Sequence, residues 1–304
     1  MPCFNAAPYL TKSLSSALGQ TFKEIELIVV DDGSTDSSLQ VLEGIRDPRL
    51  KIISQPNRGV CAARNRGLSE ALGEHIAFLD ADDAWHRECL TKLYAALRSH
   101  PGSVLAYCGW QNVGIEGRRG EPFVPPDYER LDKAEIFLGG CRWPVHAALT
   151  RRSAIEQAGG FDERFPTSED YYLWLKIATR HPIVLVPEVL AYYHFHEGCQ
   201  ATRDRLRTAF NHLLVQQEFL REQPGIIREL GHSRIRELTY GELLKRGYIC
   251  YWDRDLAASR KIFRQLIKAG YGSLKDWKYM LPALLPSGLH RALIRSFGKS
   301  HKDS

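Results

Sequence analysis

Three carboxylates fall within four residues at Asp80-Ala81-Asp82-Asp83, directly after the apolar run 76–79. Buried strands avoid acids because an unpaired buried charge is costly. A cluster of three at the carboxyl end of a strand therefore points to something cationic arriving there, a metal or a ligand. In open α/β sheets that edge is also where ligands bind. A solvated turn capping the helix that begins near Trp85 would use one Asp, whereas three repel one another. A second acidic pair, Asp31-Asp32, ends the apolar run 25–30 and continues into Gly33-Ser34-Thr35-Asp36. A turn closed by Asx hydrogen bonds is the plainer reading of that pair, and it is compatible with ligand binding.

These acidic ends need strands to carry them and helices to cover those strands. Hydrophobic periodicity predicts helices over 8–20, 37–45, 60–72 and 86–98, alternating with strands over 25–30, 50–54, 76–79 and 104–112. Gly73 stops the third helix, which bears Arg64 and Asn65. A Gly- and Pro-rich stretch, 114–130, is expected to be an exposed loop. A short helix over 133–138, a strand over 145–149 and a helix over 153–158 follow. A further helix is capped by Ser168 and carries Glu169 and Asp170 in its first turn, where the helix dipole favours acids. Strands over 183–186 and 189–196 complete the pattern. Strand–helix alternation with short loops is the mark of an α/β protein whose mostly parallel sheet is flanked by helices. Parallel neighbours would bring both acidic ends to one rim.

Beyond Cys199 only helices are predicted, over 201–221, 226–246, 256–269 and 273–281, with an amphipathic piece over 289–297. The expected division is therefore a domain over 1–200 and a helical subdomain over 201–304. With 304 residues, 44% hydrophobic and 25% charged, the chain has the composition of an ordinary globular protein. It holds no apolar run long enough for a spanning helix, and its start does not read as a signal peptide. Seven scattered cysteines without a C-x-x-C pair read as reduced thiols of a cytosolic protein, with neither zinc nor disulfides. The net charge of +5 is uneven, because residues 203–304 hold 20 Lys+Arg against 10 Asp+Glu, and the remainder 21 against 26. Such a basic tail can face an anionic membrane surface or nucleic acid, or be merely solvated.

In order and spacing these blocks resemble the inverting glycosyltransferases of family 2, which have the Rossmann-like GT-A fold. The resemblance runs over roughly residues 2–196. It rests on Pro2-x-Phe4-Asn5, on Leu27-Ile28-Val29-Val30-Asp31-Asp32-Gly33-Ser34-Thr35-Asp36, and on Asn57-x-Gly59 with Ala63-Arg64-Asn65-x-Gly67. Ala77-Phe78-Leu79-Asp80-Ala81-Asp82-Asp83, Gly159-Gly160-Phe161-Asp162 and Glu169-Asp170 complete it. A lone D-x-D is weak; these blocks together in this order are specific.

The resemblance implies a nucleoside-diphosphate sugar as donor, a UDP-sugar first, and Mg²⁺ or Mn²⁺ to offset the diphosphate as it leaves. It implies Asp82 as metal ligand, with Asp80 near the ribose or reaching the metal through water. Asp83 is left to ligate, orient or cap. Asp32, and with it Asp31, would hydrogen-bond the base; Pro2, Phe4 and Asn5 would line the nucleotide pocket. Arg64 would contact phosphate or a rim Asp, or form a surface salt bridge. Asp170 would be the base that deprotonates the acceptor hydroxyl, with Glu169 its partner toward acceptor or backbone. His196 would approach the metal or diphosphate, while His194 stands where the family often has Arg. Of Trp85, Trp110, Trp143 and Trp174, the third is the best placed for acceptor contact, beside the loop.

Family members carry one short strand ahead of the Pro-x-Phe-Asn loop. A chain starting at Met1 would lack that inner strand and a wall of the nucleotide pocket, so low stability and weak donor binding are expected of it. The acceptor is expected to be a hydroxyl of a glycan or lipid-linked molecule in polysaccharide synthesis, and nucleic acid is not an expected partner. A cytoplasmic setting, with peripheral contact of the basic helices to the inner membrane, goes with that acceptor. Two other classes remain: a non-catalytic sugar-nucleotide binding protein, and a nucleotidyltransferase. The latter normally needs an N-terminal Gly-rich phosphate loop, yet no Gly occurs in the first 18 residues.

Overall fold

The computed structural model describes residues 1–196, 204–290 and Ile294, which leaves most of the predicted helix 289–297 outside the described residues. The chain divides into two compact units, Met1–Gly198 and Cys199–Ser304. The first is an α/β unit. Its elements begin β1 (Pro2–Cys3), α1 (Ala7–Leu18), β2 (Leu27–Asp31), α2 (Ser38–Glu43), β3 (Leu50–Ser54), α3 (Val60–Glu70) and β4 (His75–Ala77). They continue with β5 (Ala84–Trp85), α4 (Cys89–Ser99), β6 (Leu105–Val113), α5 (Lys133–Leu138), β7 (Ala148–Arg151), α6 (Arg152–Gln157), α7 (Glu169–Ala178) and β8 (Ile183–His194).

The parallel part of the sheet is the three-stranded set β1-β2-β3, with Val30 paired to Pro2 and to Ile53. All five residues of β2 are buried, which is why that strand reads as a continuous apolar run rather than an alternating one. A second sheet, β4-β7-β6-β8-β5, is mixed: β6 and β8 are parallel, and the other neighbours are antiparallel. The two strands expected over 183–196 form one, β8, with an irregularity opposite Gly109 that takes up Pro187 and Glu188. Residues 145–147, expected to be strand, form a 3₁₀ turn closed by Ala147 N–H to Pro144 O, and the ladder starts only at Ala148. Phe78 and Leu79, also expected in a strand, leave the ladder after Ala77 yet stay buried, so the chain turns before Asp80.

At the edge of the parallel set the Met1 ammonium donates to Ile28 O at 2.7 Å, and Met1 O accepts from Val30 N. Burial pushes that ammonium down to about 5. Beyond it lies a cavity of about 310 Å³, between Ile25–Ile28 on one side and Gly73–Phe78 on the other.

The second unit is helical: α8 (Arg205–Glu222), α9 (Pro224–Arg236), α10 (Glu242–Trp252), α11 (Leu256–Lys268) and α12 (Leu274–Met280). The single helix predicted over 226–246 is interrupted by Gly231 at φ 76° and by a π-helical turn over Glu237–Gly241, and it resumes as α10 as far as Trp252. Ile262, Phe263, Leu266 and Met280 are fully buried at the centre of this unit. The six cysteines among the described residues are free thiols, and among those residues no helix is long and apolar enough to cross a membrane.

Candidate active site

The first acidic end is a hydrogen-bonded turn organised by two side chains. Asn5, at φ 51°, accepts at its Oδ1 from Thr35 N (2.7 Å) and Asp36 N (3.3 Å), which ties the end of β1 to the loop after β2. Asn tolerates this left-handed backbone better than most residues. Asp36 accepts from Ser38 N at the start of α2 and from Ala7 N at the start of α1. Gly33, at φ 74°, is required here because a Cβ would lie 2.8 Å from Asn57 N. Asp32 is buried and accepts from Gln55 Nε2 (2.7 Å), Arg58 N (3.0 Å) and Gly59 N (2.7 Å), so it holds the loop before α3. Asp31, also buried, accepts weakly from Ser34 N at 3.3 Å. Pro2 pairs with Val30 in β1, and Phe4 beside it is half exposed.

The second acidic end is fastened from α1. Ser13 Oγ, fully buried, lies within hydrogen-bond reach of Ala81 O (2.8 Å) and Asp83 O (2.6 Å). Tyr9, one turn earlier, stacks on the His196 ring at 4.2 Å. Because Asp36 holds the start of the same helix, α1 links the two acidic strand ends. Asp82 Oδ2 stands 2.9 Å from His196 Nε2. Burial raises the Asp82 carboxyl, and the like charges of Asp83 and Asp80 raise it further.

Asp83 points the other way. Its Oδ1 accepts from His194 N at 2.8 Å and its Oδ2 lies 3.0 Å from His146 Nδ1, with both side chains all but inaccessible to solvent. Burial alone would lower the His146 imidazole; the adjacent Asp83 carboxylate outweighs it and raises the value. Trp85 Nε1 donates to His146 O at 2.7 Å and fixes the turn that carries the imidazole. Nothing in the apolar sequence around Pro144-Val145-His146 marks this residue as the partner of an acid 63 positions earlier.

Arg64 joins the second acidic end to α7. Its Nη2 donates to Asp80 Oδ1 at 2.7 Å and its Nη1 to Glu169 Oε1 at 2.6 Å. The guanidinium is buried and sits over the Phe161 ring at 5.1 Å. Burial works against its charge, but Asp80 and Glu169 more than offset that and raise its pKa. Burial likewise pushes the Asp80 carboxyl up, and Arg64 outweighs it and holds the carboxyl below the usual range. Asp170 is pushed up to about 7, first by burial and then by the Glu169 charge, against the pull of Arg64. Three carboxylates thus share one guanidinium, and the third is the one that keeps a proton near neutrality.

Ser168 stands at the start of α7 as expected, but not as a side-chain cap. It adopts φ 67°, ψ 19° and makes no side-chain capping bond. A non-glycine residue in this region carries strain of order 1 kcal/mol, located directly before Glu169 and Asp170.

The structure thus brings Arg64, Asp80, Glu169 and Asp170 into one cluster, sets Asp82 against His196, and leaves Arg64 engaged with a rim Asp rather than lying on the surface. Trp143 corrects an expectation. It is fully buried and stacks on Tyr107 at 4.5 Å, so it is core rather than an acceptor platform. Trp174 and Trp85 are buried as well.

The family model "Glycosyl transferase family 2" matches residues 1–159. An uncharacterized glycosyltransferase of Haemophilus influenzae is 34% identical over 181 residues, an alignment covering 58% of this chain and 68% of the relative. Among solved structures, TarS of S. aureus in complex with UDP-GlcNAc has a TM-score of 0.58 at 20% identity, over 86% of this chain and 81% of that one. Mannosyltransferase PcManGT from Pyrobaculum calidifontis, in complex with GDP-Man and Mn²⁺, has a TM-score of 0.60 at 20% identity, over 97% and 81%. At that identity the two structures speak for the GT-A-type α/β fold. With the family match spanning more than half of the sequence, this chain belongs to glycosyl transferase family 2.

Proposed function

We propose that this glycosyltransferase moves a sugar from a nucleoside-diphosphate sugar, a UDP-sugar first, to a hydroxyl of a glycan or lipid-linked acceptor, with inversion and with help from a divalent cation. The observation that carries this reading is Asp170, a carboxyl poised at about 7 beside the Arg64-held Glu169. A general base works best with a pKa near the working pH. In its ionised form Asp170 takes the proton of the acceptor hydroxyl; the acceptor oxygen bonds to the anomeric carbon as the bond to the diphosphate breaks on the opposite face. Glu169, fixed by Arg64, keeps α7 in place and raises the affinity of Asp170 for that proton.

The donor reading is supported by the UDP-GlcNAc of TarS and the GDP-Man of PcManGT, ligands of those proteins. Asp31 and Asp32, with Phe4, Asn5 and Pro2 along the same strand ends, are our candidates for base and ribose contact. Asp32 would act largely through the loop it holds. For the cation, the donor set fits: a carboxylate and an imidazole lie 2.9 Å apart at Asp82 and His196, and the like charges of Asp83 and Asp80 stand close to Asp82. Among the described residues no three His, Cys, Asp or Glu side chains converge as a complete metal cage. That suits Mg²⁺ or Mn²⁺, which are commonly held by one or two protein ligands together with substrate phosphates and water. When bound, such a cation would offset the charge of the departing diphosphate. Asp80 is turned to Arg64 and would reach the cation or ribose only with its second oxygen or through water. A cytoplasmic setting, with peripheral contact of the basic second unit to a membrane surface, accompanies a lipid-linked acceptor.

The test uses Asp170→Asn and Asp82→Asn with a panel of nucleotide sugars and Mg²⁺ or Mn²⁺. Loss of transfer and of donor hydrolysis in Asp170→Asn, with donor binding kept, is the expected result. Full activity in that variant would overturn the assignment of Asp170 as base, and donor binding without any turnover in the wild type would favour a binding protein instead. Donor binding that survives both Asp82→Asn and chelation would overturn the metal assignment.

A further inference from the structure

The last described stretch of the second unit presents an apolar face with basic side chains only. Met280, Ala283 and His290 point inward and are fully buried. By contrast Leu274 is 93% exposed and Leu289 60% exposed, and Leu281, Leu284 and Leu285 between them in sequence are exposed as well. Exposed leucines are ordinary when scattered; five within 16 residues, from the start of α12 through the 3₁₀ turn over Leu281–Leu284 to Leu289, form a patch.

The charges around this patch have one sign. Lys275 and Lys278 are exposed on α12. Arg260 and Arg264 reach over from α11 and donate to Leu285 O (2.6 Å) and Leu284 O (3.1 Å), which places both guanidinium groups among the leucines. Within 272–289 the sole acid is Asp276, and it is consumed internally: Oδ2 accepts from Ser273 N and Oγ at 2.6 Å, and Oδ1 from Tyr248 Oη at 2.7 Å. Leucines flanked by cations suit an interfacial surface, where the apolar side chains enter the headgroup boundary while lysine and arginine stay with anionic lipid. A two-fold contact between copies fits poorly, because it would set the basic ring against itself. The excess of 20 Lys+Arg over 10 Asp+Glu in residues 203–304 adds a long-range attraction of the same sign.

We propose that residues 274–289 form a membrane-docking face that lays its leucines into an anionic bilayer surface. This gives the membrane contact of the preceding reading a specific place, and it stands or falls separately from the transfer chemistry. The test is co-sedimentation of the full chain with vesicles of phosphatidylcholine alone and of phosphatidylcholine mixed with phosphatidylglycerol. Binding is expected to the mixed vesicles only and to fall with added salt. Lys275→Glu with Lys278→Glu should weaken it by at least roughly fivefold per lysine. Leu274→Ser with Leu281→Ser should weaken it by roughly tenfold or more per leucine. All four side chains are exposed, so the thermal midpoint and donor hydrolysis should stay at wild-type values in both variants. Absence of sedimentation with either vesicle, equal binding to both, or Leu→Ser variants that bind like wild type would overturn the proposal. So would a wild-type dimer that the leucine variants dissolve, since the face would then belong to a second copy.

Discussion

Replacing Arg64 by Met removes one cation from among three carboxylates, and the consequences can be worked through from the geometry. Arg64 makes ion pairs at 2.7 Å to Asp80 and 2.6 Å to Glu169, and its side chain is 3% exposed. Removing one partner of a buried pair costs about 3–5 kcal/mol, because the other charge stays behind unpaired. For a unit of this size each kcal/mol shifts Tm by about 2–4 °C, so a drop of about 6–20 °C is expected. The same change acts on Asp170, whose proton affinity Arg64 opposes. A unit charge at 4–8 Å contributes about 2–4 kcal/mol at an effective dielectric of about 20. At about 1.4 kcal/mol per pKa unit, Asp170 rises by about one to three units above its value near 7. With Asp170 as the proposed base, the rate climbs with pH through that value, and the climb moves to higher pH in the variant. The assay is donor turnover from pH 5 to 10 beside a thermal melt. Adding Glu169→Gln to the same chain removes a stranded charge and should bring both the melting temperature and the pH limb partway back. A variant that melts within about 2 °C of wild type, or whose limb stays put or moves down, would refute the shared-guanidinium argument.

Four further outcomes follow from single substitutions. Glu169→Gln alone removes the like charge next to Asp170 while leaving Arg64, so the acidic limb should move down by about one unit or more; a pH–rate profile reads it. Asp82→Asn should abolish Mn²⁺ binding, measured by paramagnetic resonance of the free ion, without lowering Tm, since its carboxyl is held up by burial and acidic neighbours. Asp83→Asn, one residue on, should instead cost about 1–3 kcal/mol in denaturant unfolding, because it takes the carboxylate away from the buried His146. In the second unit Gly247→Ala would press a Cβ to 2.8 Å from Phe263 Cε1, and overpacking of this kind costs about 1–3 kcal/mol.

What the sequence discloses and what it withholds divide along chain separation. The acidic strand ends are legible because each is local: an apolar run and an acidic turn within ten residues, joined at the first by a glycine, Gly33, that the backbone requires. The helix of 133–138 and the strand of 50–54 are likewise set by their own residues, and they match the structure at both ends. The antiparallel direction of β7 has no local signal, since Ala148–Arg151 would suit either direction and only the neighbouring strands decide it. Trp143 shows the opposite error: a polar neighbouring loop made it look exposed, whereas Tyr107, Tyr128 and Phe137, distant or only moderately near in sequence, enclose it. Arg64 could be placed on the correct helix, but its choice between phosphate and carboxylate depended on Glu169, 105 residues away. His146 could not be found at all without the turn that brings it beneath Asp83.

That buried His146–Asp83 contact also limits how the chain can drift over generations. Two positions 63 residues apart share one buried polar contact, so either substitution alone passes through an intermediate with a buried polar group left without its partner and a less stable fold. Exchange is open only in pairs: to two neutral partners of similar volume, or to nothing. Among descendants of a common ancestor, positions 83 and 146 should therefore change together.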